Sequence, residues 1–237
     1  VVFRRNKAHE TLPEGDAKQQ AIREMFDTIA SRYDFVNRVM TFRLDTKWRK
    51  IAIEALHLST PSRVLDLASG TGDLCIPIQK RGHTAISVDL SYGMLSYDRS
   101  GAPRMQADIL RLPFPGSSVD AVICGFALRN LVDLPTFFVE IARVLKPGGR
   151  VVLLDVGVPH NPIIRFGNNI YFGKIVPKIG ALLSDKDAYR YLPRSVAYLP
   201  PRAELTAMLR TAGFSDAEHR QLSGGLTQLL SGTRNQQ

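Results

Sequence analysis

Three carboxylates stand at comparable places along the chain. Asp66 lies in "VLDLASGTGDL" (64–74), Asp89 at the end of "TAISVDL" (84–90), and Asp108 just after "RMQA" (104–107). Each belongs to a short apolar run of the kind that forms a buried strand. Gly70 and Gly72 follow the first, permitting a tight turn and letting a ligand approach the backbone at the carboxyl end of a strand. A P-loop would need Gly-Lys-Ser/Thr here, and the residues are Gly72-Asp73-Leu74. The dinucleotide fingerprint wants a third glycine where Cys75 stands, so a ligand without phosphates fits better. An acid at the end of the second strand is placed to accept both ribose hydroxyls of a nucleoside. Asp108, with Ile109 beside it, can hold an adenine amino group and cover the ring, although alone it could equally cap a helix. Together the set reads as S-adenosylmethionine bound across the carboxyl edge of a sheet. A fourth run, "VDAVICGF" (119–126), leads with no turn residue into Arg129 and Asn130. Such an ending is either a polar loop or the lip of a reaction site.

The elements that must carry these residues follow from periodicity. Strands are expected at 63–68, 84–90, 104–107, 119–126 and 150–156, alternating with helices that start near Thr71, Ser91 and Val132, the last ending at "VLKPGG". Nearly continuous apolar strands separated by helices imply a parallel sheet covered on both faces. Upstream, Ile22, Met25, Phe26, Ile29, Ala30 and Tyr33 have helical spacing with one buried face, and a second helix is expected over 46–56. The alternation breaks at 157–200, too long for a plain connection, which reads as an insertion with helices of its own. A helix over 201–213 and an antiparallel pair around Gly224–Gly225 close the chain. The division is one domain over 1–237: a helical cap (1–58), a ligand-binding core (59–156), a lid insertion (157–200) and a C-terminal helix and hairpin (201–237).

Composition narrows the class. With 237 residues, 44% hydrophobic and 22% charged, the chain is that of an ordinary globular protein. No apolar stretch approaches the ~20 residues of a membrane span, and the N-terminal run lacks the apolar region of a signal peptide. Cys75 and Cys124 sit in apolar runs and read as buried free thiols of a reducing compartment. The five histidines are scattered singly, so no metal is expected. The net charge of +9 suggests an anionic partner, either nucleic acid or a membrane face, but it is spread without a basic block.

"VLDLASGTGDL", "DLSYGML", "LPFPGSSVDAV", "GFALRNLVD" and "ARVLKPGGR" together resemble the ubiquinone/menaquinone-biosynthesis C-methyltransferases. "FDTIASRYDFVNRVMTFRLDTKWRK", "AYRYLPRSV" and "LSGGLTQLLSG" extend the resemblance colinearly over residues 25–232. It implies an α/β, Rossmann-like class I methyltransferase fold with a mostly parallel doubly wound sheet and a C-terminal antiparallel hairpin. By carry-over Thr71, Asp89, Asp108 and Ile109 match the family's cofactor contacts, joined by Asp66, Gly70, Gly72 and Gly125. The chain departs from the family at Gly125, where a serine is common, at Ala127, and at Asp155-Val156-Gly157, where Glu-Phe-Ser is common.

The resemblance further implies methyl transfer to a ring carbon of a prenylated hydroquinone such as demethylmenaquinol. Arg129 and Asn130 are then the residues to hydrogen-bond the ring oxygen and stabilise its developing charge. The competing role for Arg129 is an ion pair with Asp120 or Glu140. Tyr33, Asn37, Tyr189 and Tyr191 are assigned to the substrate, the tyrosines either packing its ring or serving, like a carboxylate-held water, as base. The segment 175–183 and the N-terminal apolar face either line the tail's channel or form ordinary core. The expected setting is cytoplasmic, with peripheral contact to an anionic membrane surface, and a homodimer is among the assemblies admitted. Three other classes compete. One is a methyltransferase of another phenolic natural product. A nucleic-acid methyltransferase lacks both an Asn/Asp-Pro-Pro-aromatic motif after the fourth strand and a basic domain. The third is a non-catalytic protein that binds the cofactor as a structural element.

Overall fold

A computed structural model describes residues 15–59, 61–176 and 195–236. The chain begins with α1 (Gly15–Ile29), a 3-10 turn, α2 (Tyr33–Met40) and α3 (Leu44–Glu54). It then alternates: β1 (Arg63–Leu67), α4 (Cys75–Gln79), β2 (Thr84–Asp89), α5 (Tyr92–Ser96), β3 (Arg104–Gln106), β4 (Val119–Gly125), α6 (Leu134–Val144) and β5 (Leu145–Val156). After α7 (Pro162–Ile170) and a π-helical turn at Tyr171–Ile175 come α8 (Arg202–Thr211), β6 (Phe214–Leu222) and β7 (Thr227–Arg234).

The seven strands form one sheet in the order β3-β2-β1-β4-β5-β7-β6, parallel except for β7, which runs antiparallel to both β5 and β6. Along each central strand the side chains alternate between two cores. Leu65, Val122, Cys124, Val151 and Leu153 face α6 and α8, packing on Phe137, Phe138, Ile141, Leu205 and Leu209. Val64, Ala121, Ile123, Val152 and Leu154 face α3 and α4, packing on Trp48, Ala52, Ile53 and Ile78. Burial on both sides explains why these strands are apolar without alternation. The order of strand addition reverses between β1 and β4: β2 and β3 extend the sheet to one side of β1, β4 and β5 to the other, all parallel. In an open α/β sheet this switch point leaves a crevice at the carboxyl ends.

Three expectations are corrected. The first crossover helix begins at Cys75 and not near Thr71. Pro77 has no N–H to give the Asp73 carbonyl, which leaves residues 70–74 as a turn. The fifth strand starts at Leu145, directly after α6, with an irregular register against β4 before Arg150. Gly72 does not face the crevice. Its φ is +80°, and a Cβ built there would collide with the Asp98 carboxylate, which accepts hydrogen bonds from Ser87 and Ser100. The glycine serves a packed loop.

Gly72→Ala therefore combines a left-handed backbone with a collision, and is expected to destabilise the protein by about 1–3 kcal/mol. Urea unfolding at pH 7 checks it, and an unchanged midpoint would show that the loop can relax.

Candidate functional site

A cavity opens at the switch point, with about 980 Å³ of empty space that is partly open to solvent. The turn after β1, the ends of β2 and β4 and the loop after β3 form its floor, and α1 roofs it with Gln19, Ile22, Arg23 and Phe26. Of the residues singled out above, Asp66, Gly70, Thr71, Asp89, Asp108, Ile109, Gly125, Asn130 and Tyr33 line it, whereas Gly72, Arg129 and Asn37 do not. Tyr189 and Tyr191, with most of the segment 175–183, lie outside the described residues.

The acids are held by the backbone. Asp89 accepts the Gly70 N–H at 2.8 Å and the Ser91 N–H at 2.8 Å, tying the glycine turn to β2, with the Leu90 N–H beside them. Burial nevertheless lifts its carboxyl to about 6 against the pull of those bonds. Asp66 is wholly buried. One of its oxygens takes a weak bond from the Cys75 thiol at 3.4 Å, and Oδ1 has no hydrogen-bond partner among the described residues. Burial raises this carboxyl to about 7. Asp108 accepts the Leu110 N–H at 2.9 Å, the local turn considered for it, and also the Gln19 side-chain amide of α1 at 2.8 Å. The Thr71 hydroxyl donates to Asp34 of α2 at 2.7 Å.

At the end of β4 two neighbours turn opposite ways. Asn130 faces the cavity. The Arg129 side chain turns inward, 5% exposed, and pairs with Asp155, which is fully buried on β5. Its Nε donates to Ser195 Oγ at 3.1 Å and its Nη1 to the Phe126 carbonyl at 2.7 Å, while its backbone N–H also donates to Asp155. The ion-pair partner is thus neither Asp120, which takes Lys146, nor Glu140, which takes Arg143. Asp155 lies on a far strand, and only the fold brings it to Arg129. Tyr33 reaches the cavity from α2, with Asn37 of the same helix near its hydroxyl. Burial raises this hydroxyl above the usual tyrosine range, outweighing the nearby Arg49 and Arg129 charges. It is a proton donor at neutral pH, which argues against Tyr33 as an unaided base.

Sequence reasoning missed Arg49. It projects from α3 into the cavity, with Nη1 3.6 Å from where a Cβ on Gly125 would sit and its guanidinium 5.3 Å from the Phe126 ring centre. Its Nε is buried with no hydrogen-bond partner among the described residues, and its carboxylate neighbours Asp45 and Asp73 stand off at 3.9 and 4.0 Å. The only signal was its place in "WRK". A buried unpartnered acceptor on Asp66 and a buried unpartnered donor on Arg49, lining one cavity, suit a ligand end that carries both an ammonium and a carboxylate. The aminocarboxyl end of S-adenosylmethionine is such a group, and the acids Asp89 and Asp108 suit its nucleoside end.

Residues 14–234 match the ubiE/COQ5 methyltransferase family. The chain belongs to this family. It is 39% identical to the ubiquinone/menaquinone biosynthesis C-methyltransferase UbiE of Syntrophotalea carbinolica, covering 91% of this chain and 94% of that one. It is also 39% identical to the demethylmenaquinone methyltransferase of Deinococcus radiodurans, covering 94% and 97%. Among solved structures, the magnesium protoporphyrin IX methyltransferase of Synechocystis with bound SAH superposes at a TM-score of 0.63. Identity there is 19%, over 92% of this chain and 100% of that one. A SAM-dependent methyltransferase of Thermotoga maritima gives 0.66 at 18% identity, over 90% and 100%. These two likenesses establish the fold: α/β, Rossmann-like, of class I.

The raised carboxyls carry a pH signature. Asp66 and Asp89 sit above the ordinary value of 3.8, at about 7 and about 6. The stability they contribute is complete below about pH 4 and is lost as pH rises through 6 and 7. Asp66→Asn should therefore gain on the parent protein between about pH 4 and 7, by on the order of 1 kcal/mol per pH unit inside that window, and level off above it. Paired urea titrations at pH 5, 6.5 and 8 check this, and parallel curves would mean that Asp66 ionises normally.

Proposed function

We propose that the protein transfers the methyl group of S-adenosylmethionine to a ring carbon of a prenylated hydroquinone, demethylmenaquinol giving menaquinol. The observation that carries the reading is one cavity in which the acids Asp66, Asp89 and Asp108 meet Asn130 and Tyr33, in a chain of the ubiE/COQ5 family. Family membership supports methyl transfer, and the names of the relatives support the quinone ring.

S-adenosylmethionine supplies, when bound, a methyl group already activated by its sulfonium. Asp89 would accept the ribose hydroxyls, Asp108 and Ile109 would take the adenine, and Asp66 and Arg49 the aminocarboxyl end. The remaining task is to align the acceptor carbon and to help a ring oxygen toward phenolate, which makes the ortho or para carbon nucleophilic. Asn130 and the Tyr33 hydroxyl are the cavity's donors for that oxygen, and hydrogen bonds to it favour its ionised form. Arg129 acts with them as a positioning residue. Its bonds to Asp155 and Phe126 fix the turn that presents Asn130, and its charge lies close enough to act on Tyr33. The reaction is carried out from the cytoplasmic side, whose anionic leaflet suits a chain of net charge +9.

Incubating the protein with labelled S-adenosylmethionine and a panel of demethylated quinols and compact soluble phenols tests the substrate. Label in the quinols alone is expected, and label confined to the phenols would overturn the quinone assignment. Asp89→Ala should weaken S-adenosylhomocysteine binding by about 1.5–3 kcal/mol, the scale of hydrogen bonds to a charged group. Unchanged calorimetric affinity would remove the ribose role.

For Arg129, charge and planar fork separate in Arg129→Lys and Arg129→Ala. Turnover of Arg129→Ala should fall about 10²-fold, the scale for misplacing a catalytic group, and the kcat pH profile of Arg129→Lys should move to higher pH as phenolate becomes harder to form. A lowered melting temperature with turnover per folded molecule and pH profile intact would leave Arg129 a scaffold residue only.

A further inference from the structure

The cavity uses the inner side of α2 and leaves its outer side, together with all of α7, without a role. α7 has no buried residue. Ile163 is 80% exposed and Phe166 68%, and Ile170 and Ile175 continue the same exposed apolar series. A free amphipathic helix of this length is marginal in water, yet this one is firmly seated. Asn161 caps its N-terminus, accepting the Ile163 and Ile164 N–H groups, and Arg165 Nε donates to the Pro159 carbonyl at 2.9 Å. Beyond its end the Tyr171 hydroxyl donates to the Met40 carbonyl of α2 at 2.6 Å, and Val176 is buried with Val36 and Met40. The rings of Tyr171 and Phe42 lie 5.8 Å apart, which joins α7 to the exposed Phe35, Val39 and Phe42. The result is a broad apolar surface of the kind that monomeric proteins rarely leave bare.

We propose that this α2–α7 face docks on an anionic lipid surface, with the apolar side chains at the headgroup–acyl boundary and basic residues against the headgroups. The proposal rests on the reading above for the reason to be there, an acceptor whose polyprenyl tail stays in the bilayer. Charge selects lipid over a second copy of the chain. Arg43, Lys47 and Arg165 are exposed on this face, Arg38 is taken up by Asp73, and residues 35–44 and 157–176 contain no Asp or Glu. A two-fold dimer on this face would set like charges against each other, whereas anionic headgroups neutralise them. The position also serves the cavity. Tyr33 opens α2 and lines the cavity wall, while Phe35 and Val39 of the same helix belong to the apolar face, so one helix separates the reacting ring from the lipid.

Vesicle sedimentation with the whole protein tests this, using phosphatidylcholine alone and phosphatidylcholine with phosphatidylglycerol. Variants are Ile163→Ser/Phe166→Ser, Phe42→Ser, and Val139→Ser on α6 as an exposed apolar control away from the face. The parent protein should prefer the anionic vesicles and bind them less as salt rises. The paired α7 substitutions should weaken binding about tenfold or more, from the apolar area withdrawn, and Phe42→Ser in the same direction, with Val139→Ser unchanged. Melting temperature and S-adenosylhomocysteine affinity should hold in all, since these side chains are exposed. Vesicle binding equal in all variants, or absent in the parent, would overturn the proposal. So would a parent dimer in sedimentation velocity that the α7 substitutions dissociate. Methyl transfer to a short-tailed quinol in vesicle-free buffer separates the two readings. Failure there in every protein counts against the quinone assignment while the vesicle result still decides the docking face.

Discussion

The Arg129–Asp155 ion pair fixes the far wall of the site. Asp155, on the fifth strand, accepts both the guanidinium and the backbone N–H of Arg129, so the turn after β4 is clamped to its neighbour at two points. That clamp sends the arginine inward and its neighbour Asn130 into the cavity. Both charges are almost wholly out of water. Leaving either one alone there would strand an uncompensated charge, at a cost of about 3–5 kcal/mol. Such a pair is a poor source of net stability but a strong source of geometry, because the alternative arrangements are all worse.

The same logic of desolvated charge runs through the rest of the cavity. Asp89 is anchored by two backbone donors, Asp66 by little more than a thiol, and Arg49 by carboxylates near 4 Å. An interior seldom leaves polar atoms so poorly satisfied unless a ligand completes them. Two non-glycine residues with left-handed backbones, Ala68 and Phe126, follow β1 and β4 at the same edge. Strain of that kind persists where the surrounding structure over-determines it. α1 completes the enclosure from above. Its Lys18 binds the carbonyls of Arg129 and Leu131, and its Gln19 binds Asp108. The N-terminal helix is thereby tied to the two loops that the reaction reading uses.

Much of the frame was legible before folding. Strands with no polar alternation could only lie in a sheet covered twice, and β1, β2 and β4 stand within a residue or two of their expected ends. The antiparallel hairpin around Gly224–Gly225 was legible for the same reason, two short runs separated by a turn. Less was legible where a local pattern had two outcomes. The apolar spacing from Ile22 to Tyr33 suggested one buried face, but the helix breaks at 30–32, and Ile22 and Phe26 face the cavity while Ile29 packs in a small core. Gly72 looked like a ligand-facing glycine and is a packing glycine, since the positive φ that both roles need leaves the same mark in sequence.

By itself the sequence determined the sheet, the acidic strand ends and the family, because these depend on local periodicity and on residues close together along the chain. Only tertiary structure decided who meets whom across it. Asp155 stood out in sequence as a departure from the family pattern, with nothing to link it to Arg129 across 26 residues. Arg49 lay in an N-terminal helix with no sign that it would share a cavity with Asp66. Nor could a string of residues reveal that α7 would be seated yet leave Ile163 and Phe166 in solvent. Ion pairs, unpartnered buried atoms and exposed faces are properties of the packed interior and its boundary. They exist only once distant segments have excluded water from some surfaces and left it on others.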